Sequence, residues 1–400
     1  MTKLDFLNKL LDGVEVEWKA LGEALVRTKG TNITAGQMKE LHKNNGKLKI
    51  FAGGKTTAFV DFEDIPEKDI KRQPSIIVKS RGIIGFEYYD KPFSHKNEMW
   101  SYHSKNEKIN IKFVYYFLKI NEHYFQNIGS RMQMPQIATP DTDKFNIPIP
   151  PPKVQAEIVR ILDAFTELTA ELTAELTAEL KARKRQYEYY RDKLLTFDEG
   201  EVEWKTLGDV TLPTSNIRWR DTTDIYRYID LTSVSREKHT IIETIEISAE
   251  NAPSRAKKLV IKNDVIFATT RPTQQRLCLI TEEFSGGVAS TGYCILRAQK
   301  NEVLPKWIYY WITSSKFKNY VEENQSGSAY PAISDAKVKD FKIPTPPLTE
   351  QERIVAILDK FNELKASITE GLSYEIDLHQ KQYEYYRNML LSFSKEEVKV

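Results

Sequence analysis

Gln155-Ala156-Glu157-Ile158-Val159-Arg160-Ile161-Leu162-Asp163-Ala164-Phe165 recurs as Gln351-Glu352-Arg353-Ile354-Val355-Ala356-Ile357-Leu358-Asp359-Lys360-Phe361. Each stretch follows a proline-rich breaker, Ile147-Pro148-Ile149-Pro150-Pro151 in the first copy and Ile343-Pro344-Thr345-Pro346-Pro347 in the second. Proline lacks an N–H and continues neither a helix nor a central strand, so both breakers mark domain boundaries. Beyond them apolar residues fall three and four apart: Ile158, Ile161, Leu162, Phe165 and Leu168, then Ile354, Ile357, Leu358, Phe361, Leu364 and Ile368. That spacing predicts two amphipathic helices. Thr349-Glu350-Gln351-Glu352 reads as a capping box at the start of the second, and Gly371 predicts a kink or break within it. Each helical segment of about 40 residues extends roughly 60 Å and needs a partner for its apolar stripe. The other copy is the obvious candidate.

The duplication extends outward on both sides. Glu15-Val16-Glu17-Trp18-Lys19-Ala20-Leu21-Gly22-Glu23 returns as Glu201-Val202-Glu203-Trp204-Lys205-Thr206-Leu207-Gly208-Asp209. Gln186-Tyr187-Glu188-Tyr189-Tyr190-Arg191 returns as Gln382-Tyr383-Glu384-Tyr385-Tyr386-Arg387, and Pro135, Ile137 and Phe145 match Pro331, Ile333 and Phe341. Between these blocks residues 24–130 and 211–326 bear little resemblance to each other. A frame is held constant while the heads differ, so the heads do similar work on different targets. Lys9-Leu10-Leu11 before the first Trp motif echoes Lys193-Leu194-Leu195 before the second. Residues 1–14 are therefore expected to pack near 381–393.

Thr169-Ala170-Glu171-Leu172 is repeated at 173–176 and 177–180. A strict period of four drifts by about 40° per step around an α-helix and makes a poor specific interface. It makes a good ruler, since each unit adds about 6 Å. With these repeats Gln155 and Gln186 stand as far apart in sequence as Gln351 and Gln382.

The net charge of +2 conceals a division. Residues 19–152 carry 21 Lys and Arg against 14 Asp and Glu, residues 205–347 carry 20 against 16, and the remainder is acidic. Basic globules on an acidic frame point to a polyanionic partner for the globules. Cys278 and Cys294 form neither a disulfide framework nor a zinc cage. They read as small buried hydrophobes in a reducing cytoplasm. No run of apolar residues is long enough to span a bilayer, and the start of the chain does not read as a signal peptide. There is no P-loop, GxGxxG, HExxH or Asn-Pro-Pro-aromatic run, so no catalytic apparatus is legible.

The duplicated Trp motif, the Ile-Pro breakers, the helix starts, the Thr-Ala-Glu-Leu repeats and the Gln-Tyr-Glu-Tyr-Tyr-Arg blocks resemble the specificity subunit of type I restriction–modification systems. The resemblance implies a mixed α+β chain with an internal pseudo-two-fold repeat: two α/β target-recognition domains joined by two long antiparallel coiled-coil helices. The boundaries read as an N-terminal segment 1–18, a first recognition domain 19–150, a central helix 151–200, a second recognition domain 201–347 and a distal helix 348–400. It further implies that each recognition domain reads one half of a bipartite site in double-stranded DNA. The helices set the spacer and dock two methylation subunits, which in turn carry restriction subunits. Adenine methylation and ATP-driven cleavage, with S-adenosylmethionine, ATP and Mg2+, belong to those partners, and this chain is non-catalytic with no cofactor or metal of its own. A cytoplasmic protein with no membrane contact follows. The competing reading is a coiled-coil scaffold whose two heads bind proteins.

Base contacts need Arg, Lys, Asn or Gln on loops that reach a groove. Lys79-Ser80-Arg81 follows the strand-like run Ser75–Val78, and Thr269-Thr270-Arg271-Pro272-Thr273-Gln274-Gln275-Arg276 follows Val265–Ala268. Lys79, Ser80, Arg81, Thr270, Arg271, Gln274 and Arg276 are the first candidates. Arg131 and Gln133, with Ser326 and Ser328, form a second pair just before the matched prolines. Lys43, Lys47 and Lys49 suit phosphate contacts. Tyr88, Tyr89 and Trp100 fit core packing better than base stacking. Three tyrosines crowded on a helix end are odd for a coiled-coil core. Tyr187, Tyr190, Arg191, Tyr383, Tyr386 and Arg387 are therefore expected at a subunit interface.

Overall fold

A computed structural model of the chain describes residues 15–130, 134–198 and 200–393. The expected packing of residues 1–14, and the candidates Arg131 and Gln133, lie outside the described residues. The chain divides into two compact units, one of residues up to Glu175 and from Tyr374 onward, the other of Leu176–Ser373.

The first unit is built on an antiparallel sheet in the order Leu25–Lys29, Trp100–Ser104, Ser75–Lys79, Gly85–Tyr89. A second sheet orders Thr57–Val60, Leu48–Phe51, Phe93–His95, the last two parallel. The second unit repeats this plan. Its main sheet runs Thr211–Leu212, Tyr293–Ala298, Val265–Ala268, Leu277–Leu279. Its other sheet runs Ile245–Ile247, Tyr226–Ile229, Val288–Ser290, Ala256–Leu259, with one parallel pair at the matching place. Unlike sequences therefore share one topology, and the second head carries one strand more. Strands such as Ile76-Ile77-Val78 and Val265-Ile266-Phe267 are buried throughout, as a sheet covered on both faces requires.

The two helices are Pro152–Leu194 and Leu348–Leu390, 43 residues each. In the first unit Ile158 and Leu162 share a core with Phe113, Phe117, Phe125, Leu390 and Leu391. In the second Ile354 and Leu358 share a core with Trp307, Trp311, Phe317 and Leu195. Each head is thus welded to the start of one helix and to the end of the other. Phe165 stacks on Tyr386 at 5.4 Å and Thr166 bonds the Tyr383 hydroxyl at 3.1 Å, an antiparallel progression. Tyr190 faces Phe361 and Tyr187 faces Lys365 in the other unit, with the same sense.

Three local expectations change. The distal helix runs through Gly371 without a break. A glycine costs a helix about 1 kcal/mol, and a run this long absorbs that. The helix begins at Leu348, so Thr349 lies within the first turn and not at its cap; Pro347 O accepts from the Glu350 and Gln351 amides. Leu364 is 59% exposed, and the helix presents Lys365 to its partner instead. The row steps by four from Phe361 to Lys365, whose Nζ lies 4.6 Å from the Tyr187 ring centroid.

The weld rests on one buried glutamine per unit. Gln351 Oε1 accepts from the Leu304 amide at 2.9 Å, and Nε2 donates to Glu302 O and Pro346 O at 2.8 and 2.9 Å. Gln155 does the same with the Asn110 amide and the carbonyls of Lys108 and Pro150. Cys278 and Cys294 are both buried free thiols, and burial pushes each up to about 12.

Removing either amide orphans three backbone groups. Gln351→Ala and Gln155→Ala should each lower unfolding stability by about 2–4 kcal/mol in urea titrations. Gly371→Ala should raise it by about 0.5–1 kcal/mol, because a Cβ there meets open space. A Gly371→Ala variant of lower stability would mean that the helix needs its glycine.

Candidate nucleic-acid interface

In the first head the strand Ser75–Lys79 ends in a loop pinned by the segment around the matched proline. Gly82 N donates to Pro135 O at 2.9 Å and Ile137 N to Ser80 O at 3.0 Å. Gln136 N reaches Gly129 O at 3.2 Å, so a third segment joins. The second head repeats the clasp. Arg271 N donates to Pro331 O at 2.7 Å, Ile333 N to Thr269 O at 2.9 Å, and Ser326 and Ala332 exchange both backbone bonds. In each head the loop after the central strand therefore meets the segment at a proline common to both copies. The fold shifts their register. Arg271 occupies the place of Gly82, and Thr270 that of Arg81. Gly82 and Arg271 share a positive φ, +73° and +50°.

The candidates divide by what they already hold. Arg81 is exposed and its Nε donates to Gln136 Oε1 at 3.0 Å. Arg271 is exposed, and its guanidinium lies 5.4 Å from the ring centroid of Tyr330, itself 72% exposed. Ser326 and Ser328 are exposed beside it, and Thr270 and Gln274 are half-buried. Ser80 is a correction: it is buried, and its hydroxyl donates to Glu98 O, which anchors the loop from inside. Arg276 is half-buried, and its Nη1 donates to the Val234 carbonyl.

The lysines separate likewise. Lys43 Nζ bonds Asp61 and Asp64, each at 2.8 Å, and those hydrogen bonds raise its pKa above the ordinary lysine value. Lys79 pairs with Glu87 at 2.6 Å, and Lys49 lies 3.7 Å from the same carboxylate and over the Phe51 ring. Lys47 is exposed with no ion pair among the described residues. Tyr88 and Tyr89 pack against Tyr115 and Phe51, and Trp100 Nε1 donates to Thr142 Oγ1 at 3.1 Å. No cluster of three His, Cys, Asp or Glu suited to a metal ion occurs among the described residues. Among the described residues no helix is long and apolar enough to cross a membrane.

The family model described as "Type I restriction modification DNA specificity domain" matches residues 16–182 and again 200–378. The chain belongs to this family. It is similar to the type I restriction enzyme EcoR124I/EcoR124II specificity subunit of Escherichia coli, at 33% identity over 99% of both chains. It is also similar to the putative specificity subunit S.HindORF215P of Haemophilus influenzae, at 32% identity over 97% of this chain and 98% of that one. The crystal structure of the HsdS subunit from Thermoanaerobacter tengcongensis shares 32% identity over 42% of this chain and 44% of that one, with a TM-score of 0.40.

In this specificity chain the matched tyrosine blocks are occupied from within. Tyr386 and Tyr383 pack on Phe165 and Thr166, Tyr187 and Tyr190 on Lys365 and Phe361. Arg191 is buried on Asp192 at 2.7 Å and Ser315 at 3.4 Å, whereas Arg387 Nε, also buried, has no hydrogen-bond partner among the described residues. Tyr189 and Tyr385, one in each matched block, face outward at 61% and 59% exposed, and Tyr190 is 44% exposed. Sequence reasoning missed two conserved-in-both-copies ties. Asp163 takes Lys112 Nζ and the Tyr116 hydroxyl at 2.8 and 2.6 Å, and Asp359 takes Lys306 Nζ and the Tyr310 hydroxyl, both at 2.6 Å. Burial and the adjacent carboxylate raise the pKa of both phenols. The duplication of Gln155 and Asp163 as Gln351 and Asp359 was the available signal.

Lys47→Ala should weaken DNA binding alike on all sequences and reduce the salt slope by about 0.9, while Lys43→Ala should leave the slope nearly unchanged. Glu87→Gln, which releases Lys49 and Lys79, should tighten non-specific binding several-fold at low salt. Fluorescence-anisotropy titrations across salt concentrations measure all three.

Proposed function

We propose that this chain is the DNA sequence-recognition subunit of a type I restriction–modification complex. Each head reads one half of a bipartite site in double-stranded DNA, and the paired helices set the gap. One observation carries this reading: two heads of a single topology clasp unlike polar loops with the same proline segment, each welded to the frame by the same glutamine and aspartate. A constant scaffold presenting interchangeable polar loops is what a modular reader of two different words requires. The excess of basic residues in the heads supplies the phosphate attraction that brings them to the duplex.

Two methylation subunits dock on the helices, and the outward Tyr189 and Tyr385, one in each matched block, are the anchors this reading assigns to them. Restriction subunits attach through those partners. Adenine methylation and ATP-dependent cleavage take place there, with S-adenosylmethionine, ATP and Mg2+ bound outside this chain.

Selection from a library of gapped DNA sites with the reconstituted methylase complex tests the reading. Enrichment of a split sequence is expected, with binding that falls steeply as salt rises. Salt-insensitive binding without a split sequence would favour a protein-binding scaffold. Deleting one Thr-Ala-Glu-Leu unit shortens the helix by about 6 Å, or one to two base-pair rises of about 3.4 Å. The selected gap should shrink by that amount while both half-sites keep their bases. A change of bases at constant gap would end the ruler.

A further inference from the structure

Arg271 sits in the left-handed region at φ 50° and ψ 54°. The equivalent place in the other head holds Gly82, which adopts that conformation without cost. An arginine there is strained by about 1 kcal/mol, and strain of this kind persists where function requires it. Nothing inside the fold explains the choice. Arg271 has no ion pair among the described residues, and its side chain is exposed.

The surroundings pin its backbone. Its amide is bonded to Pro331 O at 2.7 Å, the next residue is the buried Pro272, and Ala268 N bonds Arg276 O at 2.8 Å across the turn. Gln275, at φ 53°, closes the same turn in the left-handed region. The guanidinium lies 5.4 Å from the centroid of the Tyr330 ring, within reach of a cation–π contact. Phosphate attraction needs only a mobile charge. A pinned turn, a strained backbone and a planar fork beside an aromatic ring suit bidentate recognition of a base edge, and arginine in that role pairs with O6 and N7 of guanine.

We infer that Arg271 is a specificity-determining residue that reads one guanine in the major groove of the half-site bound by the second head. Tyr330 is its positioning residue. Gly82 provides no such contact in the first head. The inference rests on the function proposed above and names one base contact within it.

Gapped-site selection with the reconstituted methylase complex, carrying Arg271→Gly or Arg271→Lys, tests it. Glycine tolerates the backbone, so the Arg271→Gly variant should unfold no earlier than the parent chain. In both variants the preference for guanine at one position of one half-site should fall roughly 5- to 150-fold, with the other half-site and the gap unchanged. Tyr330→Ala should weaken the same preference to a smaller degree. A uniform loss of affinity with Arg271→Gly that Arg271→Lys restores would make the residue a phosphate contact and overturn the inference. Unchanged preferences in both variants would overturn it too. If the parent complex selects no split sequence, the proposed function itself fails, an outcome distinct from either.

Discussion

The architecture depends on a buried amide. At each junction between head and helix, a carbonyl of the proline-rich breaker and the amide of the residue that opens a helix of the head both need a partner. Gln155 and Gln351 answer both needs at once, because a primary amide is the side chain that accepts with one end and donates twice with the other. A carboxylate would bury a charge against two carbonyls, and leucine would leave three groups unmet. Since each bond is directional, the glutamine sets the angle at which the head meets the helix. The aspartate two turns on, bonded to a lysine and a tyrosine of the head, locks that angle a second time.

With the junction held, the heads are free to diverge. Their strands keep order, direction and one parallel pair, although few residues correspond. Sheet topology asks only for apolar residues at inward places, which many sequences meet. The bonds common to both clasps, between the loop after the central strand and the segment at Pro135 or Pro331, are made by backbone groups, so they too survive exchange of side chains. That is the physical basis for separating a constant frame from variable loop residues. It also explains why adjacent loop residues fare so differently. Ser80 and Arg276 are spent on internal carbonyls, whereas Arg81 and Arg271 stand outside.

Charge follows the same division. Several basic residues that look available in sequence are held by neighbouring acids, Lys43 by Asp61 and Asp64, Lys49 and Lys79 by Glu87. A surplus of basic residues counted along the chain therefore overstates the free positive charge that a duplex meets. Lys47 and Arg271 retain theirs.

Periodicity and duplication made the two helices, the boundaries at the prolines and the equivalence of the two copies legible, because these are local or repetitive properties that a chain carries in one dimension. The family followed from the same blocks. What remained hidden depends on distances between segments remote in sequence. The turn of the distal helix that exposes Leu364 sets Lys365 over the partner ring of Tyr187. Continuity through Gly371 is decided by the length of helix around it. The alignment of Arg271 with Gly82, one residue away from where the sequence places it, is decided by a hydrogen bond to Pro331, sixty residues on. Linear pattern determines which residues form elements. Only packing determines which side chains those elements leave facing the outside.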